Sequence, residues 1–383
     1  MRFNDALAAP GFGAVAEFKR RSPSAGDLRP DGDPATVARA YATAGARAMS
    51  VLVDERFAGS FDDLRAARAA TSLPLLAKGF FSKRAHLEAS LEAGADAVLL
   101  LLRDLDDATC RKLIGEATEL GLDTLVEAHD TTELQRAMSL DAPVIGINAR
   151  NLADFSIDRR TQLELVARAP RDRVVIAESG IDTRAQAAAA ELSGANAVLI
   201  GSTLMRAPEP GAKLAELVAR PLVKVCGLTR QEDVDAAVEA GADLVGFILA
   251  DESPRSAEAL LDAPPTVLRV AVFVGEQAET DADLVQFYAR QDGHRSRDAA
   301  LLQRDERVGS VVDLPWQQSD PAHLERARAT PGRVMLAGGL GPENVRAAID
   351  AVRPWAVDSA RSTEVSPGVK DHDALRAWVA AAR

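Results

Sequence analysis

Hydrophobic residues recur along the chain as short unbroken runs, each preceded by an alanine-rich stretch that ends in glycine. Gly45, Gly94, Gly194 and Gly241 all stand at this junction. A glycine there fits the residue just past a helix, where the backbone turns left-handed. The apolar run that follows does not alternate with polar residues, which is typical of a parallel strand buried on both faces. The repeating unit is therefore predicted to be strand, loop and helix.

The first part of the chain contains eight such strand candidates, with helical runs between them. They are Val15–Phe18, Ala48–Val53, Pro74–Lys78, Ala97–Leu101, Thr124–Glu127, Val144–Asn148, Val174–Glu178 and Ala197–Gly201. Alternating strands and helices indicate a parallel sheet. Eight units in about 200 residues favour a (β/α)8 TIM barrel over an open, doubly wound sheet.

A second series follows Ala219-Arg220-Pro221, so we place a domain boundary there and predict domains over residues 1–220 and 221–383. This series supplies seven strand candidates rather than eight. They are Leu222–Cys226, Leu244–Ile248, Leu268–Val274, Leu284–Phe287, Val308–Asp313, Val334–Ala337 and Ala356–Asp358.

The second series is too short for a regular barrel. Only about 20 residues lie between Tyr288 and Val308, fewer than two average helices and a strand require. We therefore expect an extended or hairpin segment around Asp298–Arg307 in place of one strand or helix. The predicted fold class is α/β, two tandem TIM barrels, the second shortened and irregular.

Composition narrows the class of protein. Hydrophobic residues make up 47% of the 383 residues and charged residues 27%, as in globular proteins. A net charge of -12 argues against nucleic acid as a partner. No apolar run approaches the roughly 20 residues that span a bilayer, so we expect no membrane partner. Cys110 and Cys226 lie far apart and the N-terminus lacks a signal peptide, which together favour the cytoplasm.

Polar and charged residues collect at the carboxyl ends of the first eight strands, where a TIM barrel builds its active site. Glu17, Lys78, Glu127 and Glu178 are the clearest cases. Any one of them is equally well explained by a solvated strand end or a structural ion pair. Burying a charge costs free energy unless the charge is paired or hydrogen-bonded. Because several strands bear this cost at the same end, a common site is favoured.

Lysines and carboxylates around one mouth are expected to polarise each other. We expect lysine pKa values to fall and carboxylate pKa values to rise into the range useful for proton transfer. His129, next to Glu127, is expected to be a helix cap or an otherwise satisfied histidine rather than a base. No His or Cys cluster has metal-ligand spacing and no GxGxxG or Walker loop occurs, so we expect no metal and no cofactor.

Five segments of this first half resemble the indole-3-glycerol-phosphate synthase family of tryptophan biosynthesis. They are Ala16-Glu17-Phe18-Lys19-Arg20-Arg21-Ser22-Pro23-Ser24, Leu125-Val126-Glu127, Ile145-Gly146-Ile147-Asn148-Ala149-Arg150-Asn151-Leu152, Glu178-Ser179-Gly180 and Leu199-Ile200-Gly201-Ser202. The resemblance runs in order over most of residues 3–206. It implies closure of the indole ring of a carboxyphenylamino-deoxyribulose phosphate with loss of CO2 and water, without a cofactor.

The resemblance also implies catalytic roles. Lys78 would be the general acid at the substrate's carbonyl, and Glu127 the carboxylate for later proton transfers. Lys19 would meet the substrate carboxylate, while Glu17 and Glu178 would position the amine and hydroxyls. A protonated lysine suits this chemistry because it stabilises the oxyanion that develops during ring closure.

The remaining implied residues bind substrate. Asn148 and Arg150 would hold the anthranilate part, and Phe57 and Phe80 would flank its ring. The phosphate would be taken by residues after strands 1, 7 and 8, namely Ser22, Ser179, Gly180, Gly201 and Ser202.

Two features depart from the family pattern. Lys78-Gly79-Phe80 stands where the family has Lys-Asp-Phe, so a carboxylate beside the lysine is missing. The chain also begins almost at strand 1, without the helical extension that covers the site in the family. We expect weaker substrate capture from this, or a start codon assigned too late.

The second half resembles phosphoribosylanthranilate isomerase. The matching segments are Lys224-Val225-Cys226-Gly227-Leu228-Thr229, Ser253-Pro254-Arg255, Val272-Phe273-Val274, Leu336-Ala337-Gly338-Gly339-Leu340 and Pro367-Gly368-Val369-Lys370-Asp371. The resemblance implies an Amadori rearrangement, with Cys226 as general base and Asp313 as general acid. Arg255 would bind the anthranilate carboxylate, and Gly338 and Gly339 the phosphate.

This half departs further from its family. The Gly-rich loop expected after Asp313 is replaced by Leu314-Pro315-Trp316-Gln317-Gln318. The small-residue phosphate turn reads Ser359-Ala360-Arg361-Ser362, so we expect the phosphate site to use Arg361 as well as backbone groups.

Four functional hypotheses remain open. The main one is a monomeric bifunctional enzyme acting on small phosphorylated anthranilate derivatives. The second keeps only the synthase, with a degenerate isomerase barrel. In the third, both barrels bind phosphorylated ligands without catalysis. A sugar-phosphate isomerase of histidine biosynthesis is the fourth, for the second half alone, and Lys224-Val225-Cys226-Gly227 argues against it.

Overall fold

The computed structural model describes residues 2–151, 154–314 and 318–383. Over these ranges the chain forms two compact units. One contains the residues up to Asp182 together with Ala190–Val218, and the other contains Thr183–Ala189 and Ala219–Arg383. The predicted assignment of residues 1–220 and 221–383 to two enzymatic domains stays a prediction.

A closed barrel of eight strands forms the first unit. The strands are β1 (Gly13–Phe18), β2 (Ala48–Leu52), β3 (Leu75–Lys78), β4 (Ala97–Leu101), β5 (Asp123–Ala128), β6 (Val144–Asn148), β7 (Val174–Glu178) and β8 (Ala197–Ile200). They pair in parallel and in chain order, with β1 between β2 and β8. The predicted strands are confirmed, with ends that differ by at most two residues.

Ten helices accompany these strands in the described ranges. They are α1 (Phe3–Ala8), α2 (Pro34–Thr43), α3 (Phe61–Ala70), α4 (Arg84–Glu92), α5 (Asp107–Leu120), α6 (Thr131–Ser139), α7 (Arg159–Arg168), α8 (Arg184–Ser193), α9 (Ser202–Arg206) and α10 (Pro210–Val218). Several begin at a side-chain cap; the Asp106 carboxylate, for example, accepts a hydrogen bond from the Thr109 N–H. Gly45 and Gly94 follow helices with φ of 82° and 93°, as the alanine–glycine pattern predicts.

The barrel interior is filled in layers by side chains from alternate strands. Val15, Leu76, Leu125 and Ile176 belong to one buried cluster and come from β1, β3, β5 and β7. Because strand side chains alternate between faces, the residues two positions further along these strands also point inward. Those residues form the next layer towards the carboxyl ends of the strands, and all four are charged.

Helix α1 closes the other end of this barrel. Phe3 and Leu7 are fully buried in the interior cluster. The Asn4 N–H donates a 3.0 Å hydrogen bond to the carboxylate of Asp123, at the start of β5. The helix therefore lies at the amino ends of the strands, away from the charged layer.

Eight strands also close the barrel of the second unit. They are β9 (Leu222–Cys226), β10 (Leu244–Ile248), β11 (Leu268–Val274), β12 (Leu284–Tyr288), β13 (Ala299–Gln303), β14 (Glu306–Val312), β15 (Val334–Leu336) and β16 (Ala356–Ser359). The sheet follows chain order from β9 to β16. Strand β13 runs antiparallel to both of its neighbours, and every other pair is parallel.

The irregularity expected around Asp298–Arg307 is confirmed. A tight β13–β14 hairpin supplies the eighth strand there, so the short segment needs no helix. The list of seven strand candidates was incomplete, because Ala299–Gln303 is a short run with polar neighbours. The region from residue 249 to residue 305 is described throughout and contains no helix.

Four helices cover the rest of the second barrel in the described ranges. They are α11 (Gln231–Ala240), α12 (His323–Ala329), α13 (Val345–Val352) and α14 (His372–Ala382). Trp378 of α14 is fully buried against the outward-facing residues of the central strands, among them Val225 and Phe247. No helix in the described parts of the chain is long and apolar enough to cross a membrane.

Candidate active sites

The charged layer of the first barrel brings a lysine and three glutamates together. The Lys78 Nζ lies 2.7 Å from Glu178, 3.4 Å from Glu17 and 3.8 Å from Glu127. Lys19, just past β1, forms a second ion pair with Glu17 at 2.8 Å. The prediction that these strand-end groups meet at one mouth is confirmed, and their chemical roles stay predictions.

Burial and ion pairing set the charges of this layer. Burial opposes the charge of Lys78, but its three carboxylate neighbours outweigh burial and raise its pKa. The expectation of a lowered lysine pKa is therefore wrong, because three carboxylates surround one ammonium group. Burial raises the pKa of Glu178, and the charge of Glu127 raises it further against the pull of Lys78. Burial also opposes ionisation of Glu17 and Glu127, yet their charged and hydrogen-bonding neighbours lower both pKa values. The expected rise in carboxylate pKa is therefore wrong for these two groups.

Two neighbours fix the Glu127 carboxylate. Asn148, on β6, donates a 3.1 Å hydrogen bond to Glu127 Oε1. His129 lies between two carboxylates, with Nε2 3.2 Å from Glu127 and Nδ1 3.0 Å from Glu133. The contact with Glu127 is an ion pair without hydrogen-bond alignment. Burial would lower the pKa of His129, but these carboxylates raise it to about 10. Glu133 satisfies Nδ1 while Nε2 has no hydrogen-bond partner among the described residues, so the expectation of a fully satisfied histidine is wrong.

Two buried carboxylate oxygens of the layer accept no hydrogen bond from the described residues. They are Glu178 Oε1 and Glu127 Oε2. Buried polar atoms normally have a hydrogen-bond partner, which can be a water, an ion or a ligand. The oxygens are therefore free to accept hydrogen bonds from a substrate.

Glycines make room for this layer. A Cβ on Gly146, in β6, would lie 2.1 Å from Glu178 Oε1. A Cβ on Gly201 would lie 2.2 Å from Glu17 Oε1 and 2.9 Å from Lys19 Nζ. Only glycine at these two positions lets the carboxylates keep their places.

The expected aromatic residues face each other beside the mouth. The rings of Phe57 and Phe80 have centroids 6.5 Å apart and planes inclined by 17°. The guanidinium of Arg56 lies 3.4 Å from the Phe80 centroid. Gly79 lies between Lys78 and this ring, and a Cβ there would approach Phe81 to 3.0 Å. A carboxylate at position 79 would therefore require Phe81 to move.

The loops around the first mouth carry the other expected binding residues. Arg150 donates hydrogen bonds to Ser24 at 3.0 Å and to the Phe155 carbonyl at 3.2 Å. Ser22 is buried, with its hydroxyl 3.1 Å from that of Ser24. The phosphate candidates after β7 and β8 lie on backbone turns: Ser179 and Gly180 have φ of 71° and 67°, and Gly201 precedes Ser202, the first residue of α9. Leu152, the last residue of the β6 motif, lies outside the described residues.

The second barrel has a cavity of about 1150 Å³ at its mouth. Every site residue expected from the sequence of this half lines it, namely Cys226, Arg255, Asp313, Gly338 and Gly339. Asp313 directly follows β14, which pairs with β13 and β15 and so keeps its place in the barrel. Cys226 and Asp313 therefore share one mouth, as an acid–base pair acting on one substrate requires.

A buried lysine lies beneath Cys226. The Lys224 Nζ donates hydrogen bonds to Gln286 at 2.8 Å and Asp358 at 3.0 Å. Burial raises the pKa of the Cys226 thiol, and Lys224 only partly opposes this. Burial raises the pKa of Asp358 as well. Cys226 is therefore a thiol in the unliganded protein near neutral pH, and a role as base requires it to give its proton away.

Asp313 is surrounded by donors. Its Oδ2 accepts from the Tyr288 hydroxyl at 2.9 Å and from both terminal nitrogens of Arg295 at 3.2 Å. Its Oδ1 accepts from the Leu314 N–H at 2.8 Å. The Tyr288 hydroxyl also accepts from Gln286 Nε2 at 2.8 Å, so hydrogen bonds run from Lys224 to Asp313.

The arginines of the cavity differ in how strongly they are held. Arg255 makes several contacts of 2.9 Å with Glu364, so its guanidinium is already paired. Arg361 lines the same cavity, and its expected role at the phosphate stays a prediction. Gly338 and Gly339 have φ of 87° and 67°, which suits a turn with exposed N–H groups. Residues 315–317 of the altered loop after Asp313 lie outside the described residues.

Sequence reasoning missed the polar neighbours of the second site. Lys224, Gln286, Tyr288 and Arg295 were not singled out as site residues. Lys224 and Gln286 interrupt apolar strands, and that interruption was an available signal. No feature of the sequence around Arg295 marks it as a site residue, because only the folded hairpin brings it to Asp313.

Comparison with known families agrees with the two-part architecture. The family model of indole-3-glycerol phosphate synthase matches residues 1–217. The model of N-(5'-phosphoribosyl)anthranilate isomerase matches residues 306–381.

Individual relatives match separate parts of the chain. The indole-3-glycerol phosphate synthase of Albidiferax ferrireducens is 45% identical over 56% of this chain and 81% of its own length. That of a Nocardioides species is 47% identical over 53% of this chain and 78% of its own. Among solved structures, a phosphoribosyl anthranilate isomerase from Thermotoga maritima is 29% identical over 43% of this chain and 98% of its own, with a TM-score of 0.33.

Proposed function

Because the chain belongs to the indole-3-glycerol phosphate synthase family and continues into an isomerase segment, we propose that it catalyses two consecutive steps of tryptophan biosynthesis. Residues 221–383 isomerise N-(5-phosphoribosyl)anthranilate to 1-(2-carboxyphenylamino)-1-deoxyribulose 5-phosphate. Residues 1–220 then close the indole ring, with loss of CO2 and water, to give indole-3-glycerol phosphate. The main support is the layer of Lys78 and three glutamates at the mouth of the first barrel.

Ring closure uses Lys78 as the acid. The raised pKa of Lys78 keeps it protonated at neutral pH, so it can donate to the substrate's carbonyl oxygen as the carbon–carbon bond forms. Glu127, held by Asn148 and His129, takes part in the later proton transfers. Lys19 meets the substrate carboxylate that leaves as CO2, and Glu17 and Glu178 orient the amine and hydroxyls.

Binding residues surround this layer. Phe57 and Phe80 flank the anthranilate ring, and Asn148 and Arg150 hold the rest of that group. The phosphate lies against the residues after β1, β7 and β8, namely Ser22, Ser179, Gly180, Gly201 and Ser202. Backbone N–H groups in such turns are suited to phosphate oxygens.

The isomerase reaction uses Cys226 and Asp313. Asp313 donates a proton to the ribose ring oxygen as the ring opens, and Cys226, once deprotonated, removes the proton from the neighbouring carbon. Arg255 binds the anthranilate carboxylate, while Gly338, Gly339 and Arg361 bind the phosphate. We place the enzyme in the cytoplasm, since both cysteines are free thiols, and we propose that it acts as a monomer.

Lys78→Ala tests the synthase assignment. We expect loss of ring closure by at least about 100-fold, the lower range for general acid catalysis. Lys112→Ala is the matched control, because Lys112 is exposed on α5. Turnover is measured with the aminoketose phosphate as substrate, and circular dichroism checks the fold of both variants. Turnover near that of the wild type in Lys78→Ala would remove Lys78 from the acid role.

A further inference from the structure

A short hairpin between β12 and β13 enters the cavity of the second barrel. Arg290–Gln291 pairs with His294–Arg295, and Asp292 and Gly293 form the turn with φ of 50° and 78°. Two positive φ values are the signature of a type I′ turn, which gives a well-defined two-residue hairpin. Arg290 anchors the hairpin by ion pairs of 2.6 and 2.7 Å with Glu252.

The hairpin places Arg295 against two residues of the mouth. Its guanidinium lies 4.0 Å from the centroid of the Tyr288 ring and contacts Asp313 Oδ2. Both nitrogens share one carboxylate oxygen at 3.2 Å, which is longer than a typical charge-assisted hydrogen bond. A third of the Arg295 side chain is exposed and it lines the cavity, so a ligand in the cavity can reach it.

This arrangement conflicts with the chemistry expected of Asp313. A general acid must carry a proton, but the two Asp313 oxygens accept hydrogen bonds from Leu314, Tyr288 and Arg295. Of these three donors, only Arg295 belongs to a partly exposed side chain that an anion can attract away. Arg255 is held by Glu364 through more and shorter contacts.

We propose that Arg295 is a further substrate-binding residue of the second site, which leaves Asp313 to bind an anionic group of the substrate. This move of Arg295 from Asp313 to the substrate rests on the proposed isomerase function. It removes the cation from Asp313 Oδ2, which keeps its hydrogen bond from Tyr288. The carboxylate can then take up a proton from bulk solvent, and Asp313 gives that proton to the ring oxygen as the carbon–oxygen bond breaks. The hairpin thus supplies a cation to the mouth of this barrel. The sequence after Asp313 lacks the Gly-rich loop expected from the family resemblance.

The anion is a phosphate or a carboxylate, since the substrate carries both and a guanidinium fork binds either. Competition by inorganic phosphate and by anthranilate distinguishes the two sources. Each is titrated as an inhibitor of the isomerase reaction, in the wild type and in Arg295→Ala. The proposal requires that one of the two inhibitors loses affinity in the variant; if both bind as before, it is wrong.

Kinetics of Arg295→Ala provide the main test. The expected result is a KM for N-(5-phosphoribosyl)anthranilate raised on the order of 10- to 100-fold, from loss of a charged hydrogen-bonding group. We expect kcat to change by less than about threefold, because Asp313 is permanently released. Arg295→Lys should restore part of the affinity. Arg297→Ala, two residues away and paired with Asp320 outside the cavity lining, should keep the KM of the wild type.

Failure of this proposal can be separated from failure of the isomerase assignment. Asp313→Asn tests the latter, because an amide cannot donate the proton of a carboxylic acid. If Asp313→Asn is inactive and Arg295→Ala keeps the KM of the wild type, the acid role stands and the Arg295 proposal is overturned. Circular dichroism on each variant, together with partial rescue by Arg295→Lys, separates a binding defect from unfolding.

Discussion

At the scale of single residues, the first site depends on the packing of charged groups into one barrel layer. Four alternate strands each contribute one ionisable side chain, and the pairing of Lys78 with three carboxylates compensates their burial. Breaking a buried ion pair is costly because it leaves a charge unpaired. Precise placement of each partner therefore determines both the charge and the reactivity of the layer.

Gly146→Ala tests that dependence without removing any charged group. The new Cβ would lie 2.1 Å from Glu178 Oε1, so the carboxylate must shift from the position in which Oε2 contacts Lys78. We expect kcat for ring closure to fall by roughly 100-fold, the cost of a displacement of about 1 Å at a reacting group. The measurement is steady-state turnover of the synthase reaction.

Gly115→Ala is the matched glycine-to-alanine control. Gly115 lies within α5, and a Cβ there meets no atom within 4 Å. This variant should keep the turnover of the wild type and gain up to about 1 kcal/mol in stability, since alanine favours helix. If Gly146→Ala is as active as Gly115→Ala, the position of Glu178 does not matter.

Residue positions were more predictable from the sequence than residue charges. Charges at strand ends were sufficient to locate the first mouth, because the carboxyl ends of parallel strands meet at one end of a barrel. The second mouth was located through the family resemblance. The pKa of Lys78 was predicted with the wrong sign. A sequence does not reveal how many carboxylates surround one amine, and that number decides the direction of the shift.

At the scale of secondary structure, the two ends of the first barrel are separate in function. The charged layer lies at the carboxyl ends of the strands, and α1 closes the amino ends with Phe3 and Leu7. Stability and chemistry should therefore respond to different substitutions.

Phe3→Ala tests this separation. Removing a fully buried phenylalanine should lower the free energy of unfolding of the first barrel by about 3–5 kcal/mol. We expect kcat for ring closure at low temperature to stay within about twofold of the wild type. The urea midpoint for loss of synthase turnover reports the stability of this barrel alone.

Leu91→Ala is the control for apolar truncation. Leu91 is a substantially exposed residue of α4, so the change should cost less than about 0.5 kcal/mol. Equal urea midpoints for Phe3→Ala and Leu91→Ala would show that α1 does not support the barrel.

In the second barrel, one whole strand was not predicted from the sequence. The short distance between Tyr288 and Val308 was enough to predict an irregular segment, because chain length bounds what fits. It did not identify Ala299–Gln303 as an antiparallel strand. The antiparallel direction of β13 follows from the tight turn at Arg304 and Asp305 that joins it to β14, and this turn lacks the glycine that usually signals a hairpin.

At the scale of the whole molecule, a net charge of -12 opposes the approach of anionic substrates. Each barrel places cations at its mouth. Lys19 and Lys78 lie among three carboxylates in the first site, and Arg255, Arg295 and Arg361 line the second. Each barrel therefore has its own cations for an anionic substrate and its own set of groups for acid–base chemistry.

The central claim is that one chain carries two reactions at two separate sites, and assays of both half-reactions on crossed variants test it most directly. Cys226→Ala should lose the isomerase reaction and keep ring closure, while Lys78→Ala should do the opposite. An equimolar mixture of the two variants should again convert N-(5-phosphoribosyl)anthranilate to indole-3-glycerol phosphate. Loss of both reactions in either variant with its fold preserved, or a wild-type chain without isomerase turnover, would contradict the account.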